Sequence, residues 1–307
     1  MPEPGKGEVR LKVQAIGLNR AEVLFRMGKY LEQPRLPAKN GYEASGVIDA
    51  VGPDVDRSWL GRKVSTIPAF SLNQYGVYGD TAIVPFHAIA VYPEKLTPAE
   101  ATSIWMQYLT AYGALILHGR VQRGDFALIT AASSSVGIAA IEIAKAEGAT
   151  SIATTRTSKK KPELLAVRAD HVIVTQEENL VARVMEITGG KGARIIFDPI
   201  AGKGVETLAQ AAASGGTIFE YGALSLEPTP FPLFVALGKG LSVRGYTLME
   251  VTGSPEVLKT AVKYVYDHLQ SGSFKPRIDK TFPLEQIAEA HRYMESNQQI
   301  GKIVVTV

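Results

Sequence analysis

The residues with the most legible chemistry lie between Asp125 and Gly148, where the chain reads DFALITAASSSVGIAAIEIAKAEG. A short apolar strand runs into a turn of small residues, including Ser133, Ser134, Ser135, Val136 and Gly137, and then into an amphipathic helix. Such a turn lets backbone N–H groups approach an anion closely, and the dipole of the following helix favours its negative charge. Dinucleotide-binding turns carry glycine at three positions, whereas here three serines precede Gly137, so the turn alone is a weak signal. At the end of the next strand, ATTRTSKKK puts Thr155, Arg156 and Lys160 where an NAD site would carry an acid for the ribose 2′-OH. A cationic set there suits a 2′-phosphate, which makes NADP(H) the expected cofactor. The other reading of the lysines is a solvated start to a surface helix.

Several chemistries are excluded. The chain has no cysteine, which removes disulfides, thiolate nucleophiles and cysteine-ligated metals. His87, His118, His171, His268 and His291 are scattered without an HExxH pattern and read as surface or strand-edge residues. No GxSxG surrounds a serine, so Ser133 to Ser135 belong to an anion-binding turn and not to a hydrolase. A net charge of +3 with dispersed basic residues calls for no nucleic acid. The sequence shows neither a long uncharged apolar run nor a signal-peptide core, which points to a cytoplasmic protein with no membrane partner.

The elements that must position the turn follow from patterning. With 307 residues, 46% of them hydrophobic, the chain can build two domains. Its first part is β-rich, with EVRLKVQAIGL alternating apolar and polar residues and SGVIDAVG, KVSTIP and DTAIVP set off by Gly, Pro and Asp. From Thr97 the run TPAEATSIWMQYLTAYGALI carries an N-cap, a proline at the first helical position and Glu100 closing a capping box, so one long helix is expected. Between Asp125 and Thr247 mostly apolar strands alternate with helices, the signature of a doubly wound parallel sheet that holds its ligand at the carboxyl ends of the strands. Two more helices and two more strands follow.

Together LPAKNGYEASG, WMQYLTAYGAL, AASSSVG, ITGGKGARIIFDPIAG and PLEQIAEAHRYMESNQQIGKIVV resemble, over the whole chain, the medium-chain dehydrogenase/reductase superfamily, and within it the zinc-independent quinone oxidoreductase branch. The resemblance implies an α/β chain with a GroES-like β-rich catalytic domain from residues 1–97 and 249–307, a Rossmann NADP(H)-binding domain over 98–248, and a homodimer. Family members usually carry a strand hairpin before the stretch that opens this sequence. In zinc-using relatives the catalytic ligands would fall on Asn19, Tyr42 and Met106. None is a competent zinc ligand, so no metal is expected.

Without a Lewis acid, hydride transfer needs an acceptor that is already electrophilic, a quinone or an α,β-unsaturated carbonyl, with a hydrogen-bond donor supporting the developing oxyanion. The resemblance offers Asn19 and Tyr42 as catalytic candidates; the alternatives are a turn-stabilising asparagine and a packed tyrosine. Tyr75 and Tyr78 are either substrate contacts or packing. By the same resemblance Gln107, Thr110, Asp198, Tyr221, Gly222, Ala223, Gly301 and Lys302 join the cofactor site. Other readings are a 2-enoyl thioester reductase of the same superfamily and a non-catalytic NADPH-binding protein.

Overall fold

Alternation in EVRLKVQAIG puts Val9, Leu11 and Val13 on one face of β1 (Glu8–Gly17), and all three are buried. In the computed structural model, which describes residues 2–307, this strand is central to the first of two units, formed by the chain up to Leu109 together with Val251–Val307. β1 pairs antiparallel with β2 (Glu43–Val51) along one edge. Its other edge is shared, β4 (Thr81–Pro85) taking Glu8 to Lys12 and β13 (Lys302–Thr306) taking Ala15 to Gly17. With β3 (Lys63–Thr66), β5 (Ile89–Ala90) and β12 (Ile278–Pro283) the order is β12-β13-β1-β2-β3-β5, with β4 on β1. Leu11, Ile48, Val64, Val84 and Phe70 build the core beneath. The last strands of the chain therefore complete the first unit's sheet.

The helix expected from Thr97 is broken. Its capping box holds, with Thr97 and Glu100 bonding reciprocally around Pro98–Ala101, but the chain then pauses and restarts as Trp105–Tyr112, followed by a π-type turn over Gly113–His118. A carboxylate from another strand accounts for the restart: Met106 donates its backbone N–H to Glu43 of β2 (2.9 Å), satisfying one of the orphan donors at a helix start.

The second unit, Thr110–Glu250, holds six strands, all pairing in parallel. They are β6 (Phe126–Ile129), β7 (Thr150–Thr155), β8 (His171–Val174), β9 (Ala193–Asp198), β10 (Ala212–Glu220) and β11 (Ser242–Gly245), in the order β11-β10-β9-β6-β7-β8. Leu128, Ile152, Ile173, Ile196 and Ile218, one from each of five strands, share a core cluster, which explains the strands' apolar composition. β6 and β9 adjoin where the winding reverses, so their carboxyl ends flank the crevice such sheets use for ligands. No helix among the described residues is long and apolar enough to cross a membrane.

Candidate functional site

On the second unit, the turn after β6 is shaped by two features. Ala131 takes a left-handed backbone (φ 44°), and Ser134 caps the helix Ser135–Ala146 by accepting the Gly137 N–H at 3.0 Å. A Cβ on Gly137 would lie 2.6 Å from the Ala132 Cα, so only glycine lets the helix start close against the turn. This one glycine does the packing work of the fingerprint. The cationic set is also placed: Lys160 donates from Nζ to Ser133 Oγ in the turn at 3.1 Å. Thr155 is buried at the end of β7 with its hydroxyl on Thr157 O, and Arg156 is exposed.

At the neighbouring strand ends, Asp198 accepts from the Thr130 hydroxyl and from the backbone N–H groups of Ile200 (3.1 Å) and Ala201 (2.7 Å), holding Ala201 in a left-handed turn (φ 60°). Glu220 stands beside it in register. Burial, then the charge of Asp198 beside it, push Glu220 up to about 8, so it carries a proton at neutral pH. Tyr221 stacks on Phe197 with ring centroids 3.9 Å apart, and Gly222 abuts Pro199 closely enough that a Cβ would lie 2.9 Å from its carbonyl oxygen. Ala223 is exposed. A tight glycine-backed turn, a capped twelve-residue helix and a lysine on the turn's serine fit a dinucleotide phosphate.

The first unit holds a buried polar cluster. Asn19 donates from Nδ2 to Gly17 O, Glu22 Oε1 and Glu43 Oε2, and its Oδ1 accepts from Lys302 Nζ at 2.6 Å. Lys302 also pairs with Glu43, and both side chains are buried, at 0% and 1% exposure. Glu22 is fully buried and takes four donors: the Asn19 N–H (2.8 Å), Asn19 Nδ2 (3.1 Å), the Tyr42 N–H (3.0 Å) and the Tyr78 hydroxyl (2.7 Å). Burial pushes its carboxyl above the usual range, against the pull of those bonds. Tyr78 in turn meets His291 Nε2 at 2.9 Å. The side chain of Tyr42 is 1% exposed, and its hydroxyl, lying beside Tyr30, makes no hydrogen bond of normal geometry. Burial first, then Tyr30, raises that phenol, so it stays neutral and a donor. Gln107, 1% exposed, has an Oε1 without a partner, and Thr110 is buried nearby on the same helix. Gly301, at φ 104°, lies against Arg277, where a Cβ would stand 2.4 Å from a carbonyl oxygen.

Zinc does not fit this cluster. The Asn19 oxygen already accepts from an ammonium, Tyr42 is a neutral phenol, and Met106 enters through its backbone N–H. The orphan Gln107 oxygen, by contrast, suits an amide or hydroxyl donor of the kind a nicotinamide ribose or carboxamide presents.

Sequence reasoning missed Glu22, Glu43, Tyr78 and His291 as members of a cluster. His291 is a correction: it is buried, on the helix Ile287–Glu295, and not at the surface. The Asn19 to Glu22 spacing of a capping box was the available signal. Tyr75 gives its hydroxyl to Glu8 (2.7 Å), so both loop tyrosines are engaged within the unit.

Comparison with known proteins gives matching family profiles for "Alcohol dehydrogenase GroES-like domain" over residues 5–94 and "Zinc-binding dehydrogenase" over 135–267. Human quinone oxidoreductase is 30% identical over 99% of this chain and 91% of its own length. The structure of Escherichia coli quinone oxidoreductase complexed with NADPH superposes with a TM-score of 0.92 at 28% identity, covering 100% of this chain and 94% of that one. A structure described as an NAD-dependent alcohol dehydrogenase matches with the same TM-score, 0.92, at 31% identity and with the same coverage, 100% and 94%.

Proposed function

The chain belongs to the medium-chain dehydrogenase/reductase superfamily, in its quinone-oxidoreductase-like branch, and from that premise we propose that it reduces quinones or activated α,β-unsaturated carbonyls with NADPH and without zinc. The observation that carries the reading is the Lys302 ammonium on Asn19 Oδ1. With a fixed cation in place of a Lewis acid, the acceptor must bring its own electrophilicity. NADPH supplies the hydride. The Tyr42 phenol, buried, neutral and unpartnered, donates a hydrogen bond to the acceptor oxygen as negative charge develops there, and Asn19, clamped by Glu22, Glu43 and Lys302, holds the wall beside it. One hydride from the nucleotide and one proton taken from solvent together convert quinone to hydroquinone or saturate the enone.

The choice of NADPH over NADH is supported by Lys160 on the turn's Ser133 and by the exposed Arg156 that directly follows β7. The Ser133 to Gly137 turn takes the pyrophosphate, while Asp198, Tyr221, Gly222 and Ala223 line the strand ends past it and Gln107, Thr110, Gly301 and Lys302 complete the cofactor set. A homodimer is supported by the apolar helix Leu233–Lys239 on the unit whose edge strand is β11. Steady-state turnover of 1,4-benzoquinone with NADPH and with NADH tests the reading, elemental analysis alongside. Faster turnover with NADPH by a metal-free enzyme is expected; no reduction, equal use of NADH, or stoichiometric zinc overturns it.

A further inference from the structure

Glu22 poses a problem of access. Its carboxyl is fully buried and sits above the usual carboxylate range because burial disfavours its charge. A group in that condition exchanges a proton only through something that touches it. Three of its four contacts, the Asn19 N–H, the Asn19 amide and the Tyr42 N–H, are amide nitrogens that cannot pass a proton on. The fourth is the Tyr78 hydroxyl, which meets His291 Nε2 on its far side. His291 keeps 5% of its surface exposed, against 0% for Glu22, and its Nδ1, which has no hydrogen-bond partner, is the end of the chain that water reaches when the surface opens locally.

Donor arithmetic fixes the direction of the chain. While Glu22 is a carboxylate it can only accept, so the Tyr78 proton points to Glu22 and the Tyr78 oxygen accepts from His291 Nε2–H. Nδ1 is then the bare acceptor left over. A proton arriving at Nδ1 lets Nε2 pass its own to Tyr78, and Tyr78 passes its own to Glu22. One proton has entered, one has reached the carboxyl, and the imidazole and the phenol are both neutral again. Every contact survives with its polarity reversed: Glu22 donates to Tyr78, Tyr78 donates to Nε2, and the three amide donors still find acceptor oxygens.

We propose that Tyr78 and His291 form a two-residue proton relay to Glu22, which lets this carboxyl change its charge while its contacts to Asn19 and Tyr42 stay in place. Tyr78 and His291 are positioning residues, because they act on Asn19 and Tyr42 through Glu22. Other charges face the chain on each side. Tyr30 and Tyr42 lie near Glu22, the Glu43–Lys302 pair is one amide away through Asn19, and Arg26 and Glu295, themselves paired, act on His291 in opposite senses. Burial first, then Arg26, lowers His291, which keeps the imidazole neutral and able to shuttle. Deleting the relay leaves Glu22 able to take its proton only by giving up a donor.

The importance of the relay to turnover rests on the reduction proposed above, so the deciding experiment is one that needs no turnover. Infrared difference spectra after a rapid pH drop report the carbonyl band of a protonated buried carboxyl, assigned to Glu22 by its loss in Glu22→Gln. In the wild type this band rises promptly. In Tyr78→Phe and in His291→Gln, which retains a side-chain amide beside Tyr78, it rises slower by on the order of 100-fold, with circular dichroism confirming that each variant is folded. Equal rates in wild type and both variants overturn the relay. In quinone reduction, Tyr78→Phe then loses kcat on the acid side where the wild type does not, with KM for NADPH unchanged; failure of benzoquinone to react at all removes the reductase reading and leaves the infrared result standing.

Discussion

Glu220 and Asp198 end two neighbouring strands of the parallel sheet side by side in register, and the Asp198 carboxylate is already committed to Thr130 and two backbone N–H groups. A second negative charge there has no donor waiting for it, since neither Glu220 oxygen meets one. Glu220 therefore keeps its proton up to about 8, against an ordinary value of 4.5. Between those two values the folded chain binds a proton that the unfolded chain has lost, so stability falls as pH rises through the window and levels off above it. Glu220→Gln, neutral at every pH, should flatten this part of the curve. Thermal unfolding followed from pH 5 to 9 checks it. A wild-type Tm no steeper with pH than that of the variant would place the second charge somewhere else.

Lys302 and Glu43 form an ion pair with both side chains out of solvent. Such a pair contributes little net stability, but removing one partner strands the other. Lys302→Met leaves Glu43 with no countercharge and Asn19 Oδ1 with no donor, and should cost on the order of 3–5 kcal/mol. The double variant Lys302→Met, Glu43→Gln keeps an acceptor for the Met106 N–H and should recover much of that loss. Urea unfolding of the three proteins measures both. If the double variant were less stable than the single one, the cost would be packing around a long side chain and not a stranded charge.

Local pattern was enough to read the parallel sheet, because its inner strands are buried on both faces and therefore apolar, and enough to place a small-residue turn between the first of them and its helix, while the purpose of that turn needed the motifs around it. Gly137 was visible; that it alone closes the turn on Ala132 was not, since that follows from a distance. The break after Pro98–Ala101 escaped because its cause, Glu43, lies on a strand far back in the sequence. The buried cluster escaped for the same reason: Glu22, Tyr78 and His291 come from three separate stretches, and no spacing in a single sequence connects them. His291 in particular has ordinary neighbours, so only the packing of its helix decides whether it meets water or a tyrosine.

Lys160 reaches the turn through Ser133, and Arg156 stands exposed after the same strand. If they hold a 2′-phosphate, Lys160→Glu and Arg156→Glu each remove a charge-assisted bond of about 1.5–3 kcal/mol and should raise KM for NADPH by roughly 10- to 100-fold. NADH lacks the phosphate, so its KM should barely move. Initial rates with the two nucleotides at fixed quinone give both numbers. Equal increases for NADPH and NADH would mean that Lys160 supports the turn and does not read the phosphate.

Leu233, Phe234 and Leu237 fall within one turn of the helix Leu233–Lys239, with Phe234 85% and Leu237 70% exposed. Three large apolar side chains on one short helix are a costly surface to leave in water, at about 25 cal/mol for each Å². Beyond β10 the sheet ends at β11, whose outer edge carries unpaired backbone groups able to add a strand. A second copy of the chain answers both features at once, because a two-fold axis presents the same strand edge and the same apolar helix from the opposite side. Sedimentation should therefore give the wild type twice the mass of one chain. Phe234→Glu with Leu237→Glu puts two like charges into each half of that contact and should shift the protein to single-chain mass without loss of circular dichroism. A double variant that sediments like the wild type would show that this helix lies outside the contact.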